Sequence, residues 1–140
     1  MGLQAKTLQV GDSRSETVIE NLSRTQIVMY AGASGDYNPL HSDEIYVTKV
    51  AGFPTVFAHG MLTMGLTGRL LTDWVGDGRL LSYGARFEKQ VWPGDTLTAT
   101  ATVDSIEDGD EGKVASFSVV TTNESGDRVL SGHASARLDP

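Results

Sequence analysis

The sequence has no cysteine, so disulfides and thiolates are excluded from both its structure and its chemistry. A zero count is compatible with a reducing compartment, and the N-terminal MGLQAKTLQVGD lacks the apolar central run of a secretory signal, so a cytoplasmic location is expected. No stretch approaches the ~20 consecutive apolar residues of a membrane-spanning helix, and no membrane partner is expected. Positive charge is scarce. Lys and Arg total 11 against 18 Asp and Glu, a formal net charge of −7, and the basic residues stand singly. That distribution excludes the basic patch a nucleic-acid surface requires. Histidine is scarce too: His41, His59 and His133 lie far apart, in none of the short spacings that mark a metal site, and no metal is expected.

What is present suffices for one compact domain, 1–140, with a real core, since 39% of the 140 residues are hydrophobic. From Leu3 to Glu20 short apolar runs flank the turn dipeptide Gly11-Asp12, which predicts two extended pieces. Asn21 or Ser23 caps a helix carrying Ile27, Val28 and Met29 to about Ala33. Pro39 disfavours helix at Asn38, so Gly35 to His41 is expected as a structured loop. Ser42 or Asp43 caps a short helix through Val47, followed by the breaker-rich AGFPT. The longest helix runs from about Ala58 to Trp74, with Met61, Leu62, Leu66, Leu70, Leu71 and Trp74 as its apolar stripe. Gly65 and Gly68, opposite that stripe, suggest close approach to other backbone or to a ligand. Strands follow over Leu80 to Val91, from Thr96, over Val114 to Thr122 and over Val129 to Leu138, separated by WPGD, EDGDEG and the turn Asn123 to Asp127. One long helix followed by antiparallel strands gives an α+β fold whose sheet wraps the helix.

Chemistry concentrates in YAGASGDYNPLH, where a carboxylate (Asp36) and an imidazole (His41) flank a loop stiffened by Asn38 and Pro39. Such a loop can hold both groups against one water. Adding water across a double bond conjugated to a thioester needs a base, a proton source for the α-carbon, and a donor for the enolate-like oxygen. An Asp–His pair supplies the first two. Gly60, at the start of the long helix, offers a free backbone N–H and the positive end of the helix dipole for the third.

YAGASGDYNPLH followed by AHGML, with WPGDTL and GHASARL in order behind them, resembles the MaoC-like (R)-specific hydratases and dehydratases, and among them the HadB-like dehydratase subunits. The resemblance implies a hot-dog fold and a catalytic dyad of Asp36 and His41. It also implies that Asn38 orients the loop and that the Gly60 amide forms an oxyanion hole. It implies (R)-specific hydration of trans-2-enoyl thioesters, or the reverse dehydration, on CoA or acyl carrier protein and without a cofactor. The family often places a dyad-supporting serine where this chain has Gly65 and Gly68, which leaves Ser34, Thr63 or Thr67 as substitutes. His59 and Arg86 are weaker candidates for substrate contact. His59 also fits as a helix-start histidine that bonds nearby backbone, and Arg86 as one half of an ion pair. His133 lies on a polar strand face and reads as a surface residue. A homodimer, or a heterodimer with a related hot-dog subunit, is expected from the family and from the edge strand a monomer would expose. Two rival readings are a non-catalytic subunit that shapes an acyl channel and a hot-dog thioesterase.

Overall fold

The computed structural model describes residues 2–140. Five strands, β1 (Ser13–Ile19), β2 (Leu80–Phe87), β3 (Leu97–Gly109), β4 (Gly112–Thr122) and β5 (Arg128–Arg137), form one antiparallel sheet in the order β1-β3-β4-β5-β2. Helix α3 (Gly60–Val75) lies against its inner face, while α1 (Arg24–Ser34), a 3-10 turn (Pro39–His41) and α2 (Glu44–Lys49) connect β1 to it.

The inner face is built for a helix to settle into. Along β3, Leu97, Ala99, Ala101 and Val103 are buried at alternate positions, and β4 and β5 add Ala115, Phe117, Val119, Leu130, Ala134 and Ala136. The many alanines lower the sheet surface so that Leu70, Leu71 and Val75 of α3 sink to full burial. Burying one such leucine contributes about 2 kcal/mol. The buried stripe of α3 departs from the expected one over its first two turns. Thr63 and Thr67 face the core there, Thr67 shares a 2.6 Å hydroxyl–hydroxyl bond with Thr121, and Met61 is 54% exposed. The shared hydroxyl bond removes the cost of burying two polar groups, so the stripe need not be apolar. Gly68 takes close packing, not a ligand: a Cβ there would meet the Tyr83 ring at 3.2 Å. The Tyr83 hydroxyl donates to the Met64 carbonyl (2.9 Å), and burial pushes it up to about 12. Nothing lies within 4 Å of a Cβ at Gly65.

Three boundaries differ from the sequence reading. Residues before β1 make one isolated bridge, Gln4 with Asp139, because the Gln4 carbonyl takes the Thr7 and Leu8 amides into a local turn. Strand β2 stops at Phe87, and beyond it the Val91 carbonyl accepts from Ala58 N instead of continuing the sheet. β3 and β4 extend into EDGDEG and leave only Asp110 and Glu111 as a two-residue hairpin.

The connecting helices fix the loop that carries Asp36. Ser23 and Gln26 form a capping box at the start of α1. Gly35 ends α1 in the left-handed conformation (φ 75°), which turns the chain directly into Asp36. Asp43 caps α2. Glu44 accepts from Arg24 (3.0 Å), Thr55 (2.9 Å) and the Val56 amide (3.3 Å), tying α1 and α2 to the segment that leads into α3.

Candidate active site

Two chain segments meet at the start of α3. One is the loop from Asp36 to His41, and the other is Phe57 to Gly60. In the first, Ser34 Oγ accepts from Asp36 N (3.1 Å), Asp36 Oδ1 accepts from Asn38 N (3.2 Å), and Asn38 Oδ1 accepts from Leu40 N (3.0 Å). These successive side-chain turns bend the backbone without regular structure, and the last caps the 3-10 turn that presents His41. Of the three proposed serine substitutes, Ser34 is thus the one that braces this loop. Thr67 is committed to Thr121.

The second segment holds the rings. His41 Nδ1 lies 2.6 Å from the Phe57 carbonyl, which can only accept, so Nδ1 carries the hydrogen and Nε2 is left as a bare lone pair. His59 Nε2 likewise donates to the Asp36 carbonyl (3.0 Å). The two imidazoles stack with centroids 3.8 Å apart, and Tyr30 packs its ring edge-to-face on His59 at 4.8 Å. One ligand-type atom from each of Asp36, His41 and His59 lies within 4.8 Å of the others, so residues far apart in sequence converge. Burial pulls the His41 imidazole below the usual histidine range. The Phe57 carbonyl acts against that pull, and neighbouring His59 adds to it. At neutral pH, then, His41 is an uncharged imidazole with one nitrogen free to accept a proton, beside an exposed carboxylate.

Gly60 is the first residue of α3, and His59 before it supplies no side-chain cap. Among the described residues neither the Gly60 nor the Met61 amide has an acceptor, so two donors stand free at the positive end of a 16-residue helix. A cavity of about 230 Å³ opens beside them, walled by Phe57, Thr63, Phe87, Val91 and Val129.

A model of the MaoC-like domain matches residues 6–125. The chain belongs to the MaoC-like family. It is 34% identical over 99 residues to the (R)-specific enoyl-CoA hydratase of Rhodospirillum rubrum, covering 69% of this chain and 68% of that one. It is 40% identical over 90 residues to 3-hydroxyacyl-thioester dehydratase Y of Mycobacterium tuberculosis, covering 62% of this chain but 31% of that longer protein. Among solved structures, an (R)-hydratase from A. caviae superposes with a TM-score of 0.83 at 26% identity, over 96% of this chain and all of that one. The sheet wrapped on α3 is therefore the hot-dog fold of the MaoC-like proteins, as the motifs implied.

Of the remaining sequence candidates, His59 lies within this cluster while Arg86 and His133 fall elsewhere. His59 is 2% exposed, which leaves it no surface for substrate; it binds loop backbone instead. Arg86 pairs across the sheet with Ser131, while its neighbour Phe87 pairs with the buried Leu130 of the core face. Arg86 accordingly points from the outer face, away from α3, and has no ion-pair partner among the described residues. His133 is exposed on that outer face, as expected. Two contributors escaped the sequence reading. The Phe57 carbonyl sets the His41 tautomer through backbone, to which residue identity gives no clue. Phe87 ends an edge strand and shows its position only once the sheet is folded.

Proposed function

We propose that this chain catalyses the reversible hydration of trans-2-enoyl thioesters to (R)-3-hydroxyacyl thioesters, carried on CoA or acyl carrier protein, within fatty-acid metabolism. The observation that supports this reading most directly is the bare Nε2 of His41, its tautomer set by the Phe57 carbonyl, next to the Asp36 carboxylate. In the hydration direction a water held between the two loses a proton to the pair as its oxygen bonds C3. The π electrons move toward the thioester oxygen, and C2 then takes a proton from the same pair. Asp36 and His41 act jointly in these steps. Asn38 holds the loop, and the free Gly60 amide receives the oxygen as it gains charge. No cofactor takes part.

No helix among the described residues is long and apolar enough to cross a membrane. We further propose that the working unit is a dimer, with a second copy or a related hot-dog subunit, joined along β2. Edge strand β1 carries the paired charges of Arg14 and Glu16, which discourage strand addition, whereas β2 exposes Leu81.

Crotonyl-CoA tests the activity. Loss of enoyl absorbance with no free thiol, and an (R) product on chiral analysis, is the expected result. Thiol release would make the protein a thioesterase, an (S) product would remove it from this mechanism, and no change would make it a non-catalytic subunit.

A further inference from the structure

Gly60 is not a glycine for conformational reasons, since its φ lies outside the left-handed region. It is a glycine because the Phe87 ring rests on it. A Cβ at position 60 would stand 2.7 Å from Phe87 Cδ2, 2.8 Å from Cε2 and 3.0 Å from Cγ, the first two being distances that real Cβ atoms essentially never show. Phe87 is nonetheless 47% exposed, so one side of the ring is seated on the first turn of α3 and the rest borders the cavity beside the free amides. Phe57 lines the same cavity and meets His41 edge-to-face at 5.4 Å, so one ring touches both the cavity and the proposed dyad.

We propose that Phe87 is a specificity-determining residue, whose ring, seated on Gly60, limits the bulk tolerated at the α-carbon of the thioester. The inference rests on the hydratase reading and on the Gly60 amide as the carbonyl's anchor. A thioester oxygen bonded to that amide brings C1 and C2 alongside the ring. A flat, unbranched enoyl group lies along such a wall, whereas a methyl on C2 meets it. Substrates with hydrogen at C2 are therefore selected over 2-methyl-branched ones. Because the ring is held by contact with backbone, the limit is rigid. A ring free to swing away would discriminate little.

The test uses Phe87→Ala and Gly60→Ala, singly and together, with crotonyl-CoA and its 2-methyl homologue tiglyl-CoA as substrates. Phe87→Ala should raise kcat/KM for tiglyl-CoA relative to crotonyl-CoA by about tenfold, within the range a misplaced methyl group commands in a shaped pocket. Gly60→Ala should lower the melting temperature of the parent and have little further effect in the Phe87→Ala background. If Phe87→Ala does not fold, Phe87→Leu carries the same comparison with a smaller expected gain. A folded variant with an unchanged substrate ratio overturns the specificity role. Equal destabilisation by Gly60→Ala in both backgrounds overturns the contact on which it rests. A parent without crotonyl-CoA turnover would instead sink the hydratase reading, and the specificity role with it.

Discussion

His59 stacks on His41 with planes 25° from parallel while its Nε2 bonds the Asp36 carbonyl, so one buried ring touches both members of the proposed dyad. Its own Nδ1 is buried without a partner among the described residues, an arrangement that costs about 1–3 kcal/mol. His59→Leu removes the donor and the stack while retaining apolar bulk. The expected outcome is a folded protein whose kcat falls about 10- to 100-fold with KM little changed, since displaced catalytic groups lose rate before binding. Stability should move little, because the Asp36 carbonyl loses a donor while the orphaned Nδ1 disappears. His59→Gln, which restores an N–H near the same carbonyl, should recover part of the rate. A Leu variant with parent-like kcat would reduce His59 to core filling.

The dyad prediction is simpler. Asp36→Asn and His41→Ala should each reduce hydration of crotonyl-CoA by about two to four orders of magnitude, the usual contribution of a positioned acid–base group. Because both serve one transition state, the double variant should be little worse than either single one. Steady-state rates of the three proteins decide this, and multiplicative losses would assign the residues independent roles.

Much of this site is readable from residue types and spacing, and the rest is not, for physical reasons. The Gly35 to His41 loop announces itself through Pro39 and the Asn and Asp turn formers, and the helix starts through Ser23 and Asp43. The burial of Thr67 does not, because a threonine on a helix reads as polar until its hydroxyl finds a partner across the core. Convergence of His41 with His59 depends on Phe57 N bonding the Leu40 carbonyl and Ala58 N bonding the Val91 carbonyl, long-range backbone bonds that carry no residue signature. Arg86 misleads for a related reason: its strand is clear, but which face it takes depends on register.

The acidity of His41 gives a pH signature. Burial holds its folded-state value below the ordinary 6.5. The unfolded chain therefore takes up a proton before the folded one does. This contribution to stability is fully present above the unfolded value and is lost as pH falls from about 6.5 through the lower folded value. Chemical denaturation across that window should show stability declining more steeply for the parent than for His41→Asn. The acid limb of kcat/KM for hydration should likewise fall below 6.5 and report the dyad as a unit. A limb centred above 6.5 would contradict a buried neutral imidazole.

Gly60 supplies the last prediction, and its contact with Phe87 dictates the design. Proline at position 60 deletes the candidate oxyanion donor, and as the first helical residue it suits the helix. It also brings a Cβ into the Phe87 ring, so Gly60→Pro in the parent would confound a lost donor with a displaced aromatic. The informative pair is Gly60→Ala and Gly60→Pro, both in the Phe87→Ala background. Each adds a Cβ into vacated space, and they differ mainly in the N–H. The proline variant should turn over crotonyl-CoA about 10²–10³-fold more slowly than the alanine variant, the usual effect of removing one oxyanion donor. Circular dichroism and gel filtration establish that both are folded and equally assembled. Equal rates in the two would move the oxyanion hole to another donor, with the adjacent free amide of Met61 the first to examine, and would leave Gly60 as the seat of Phe87 alone.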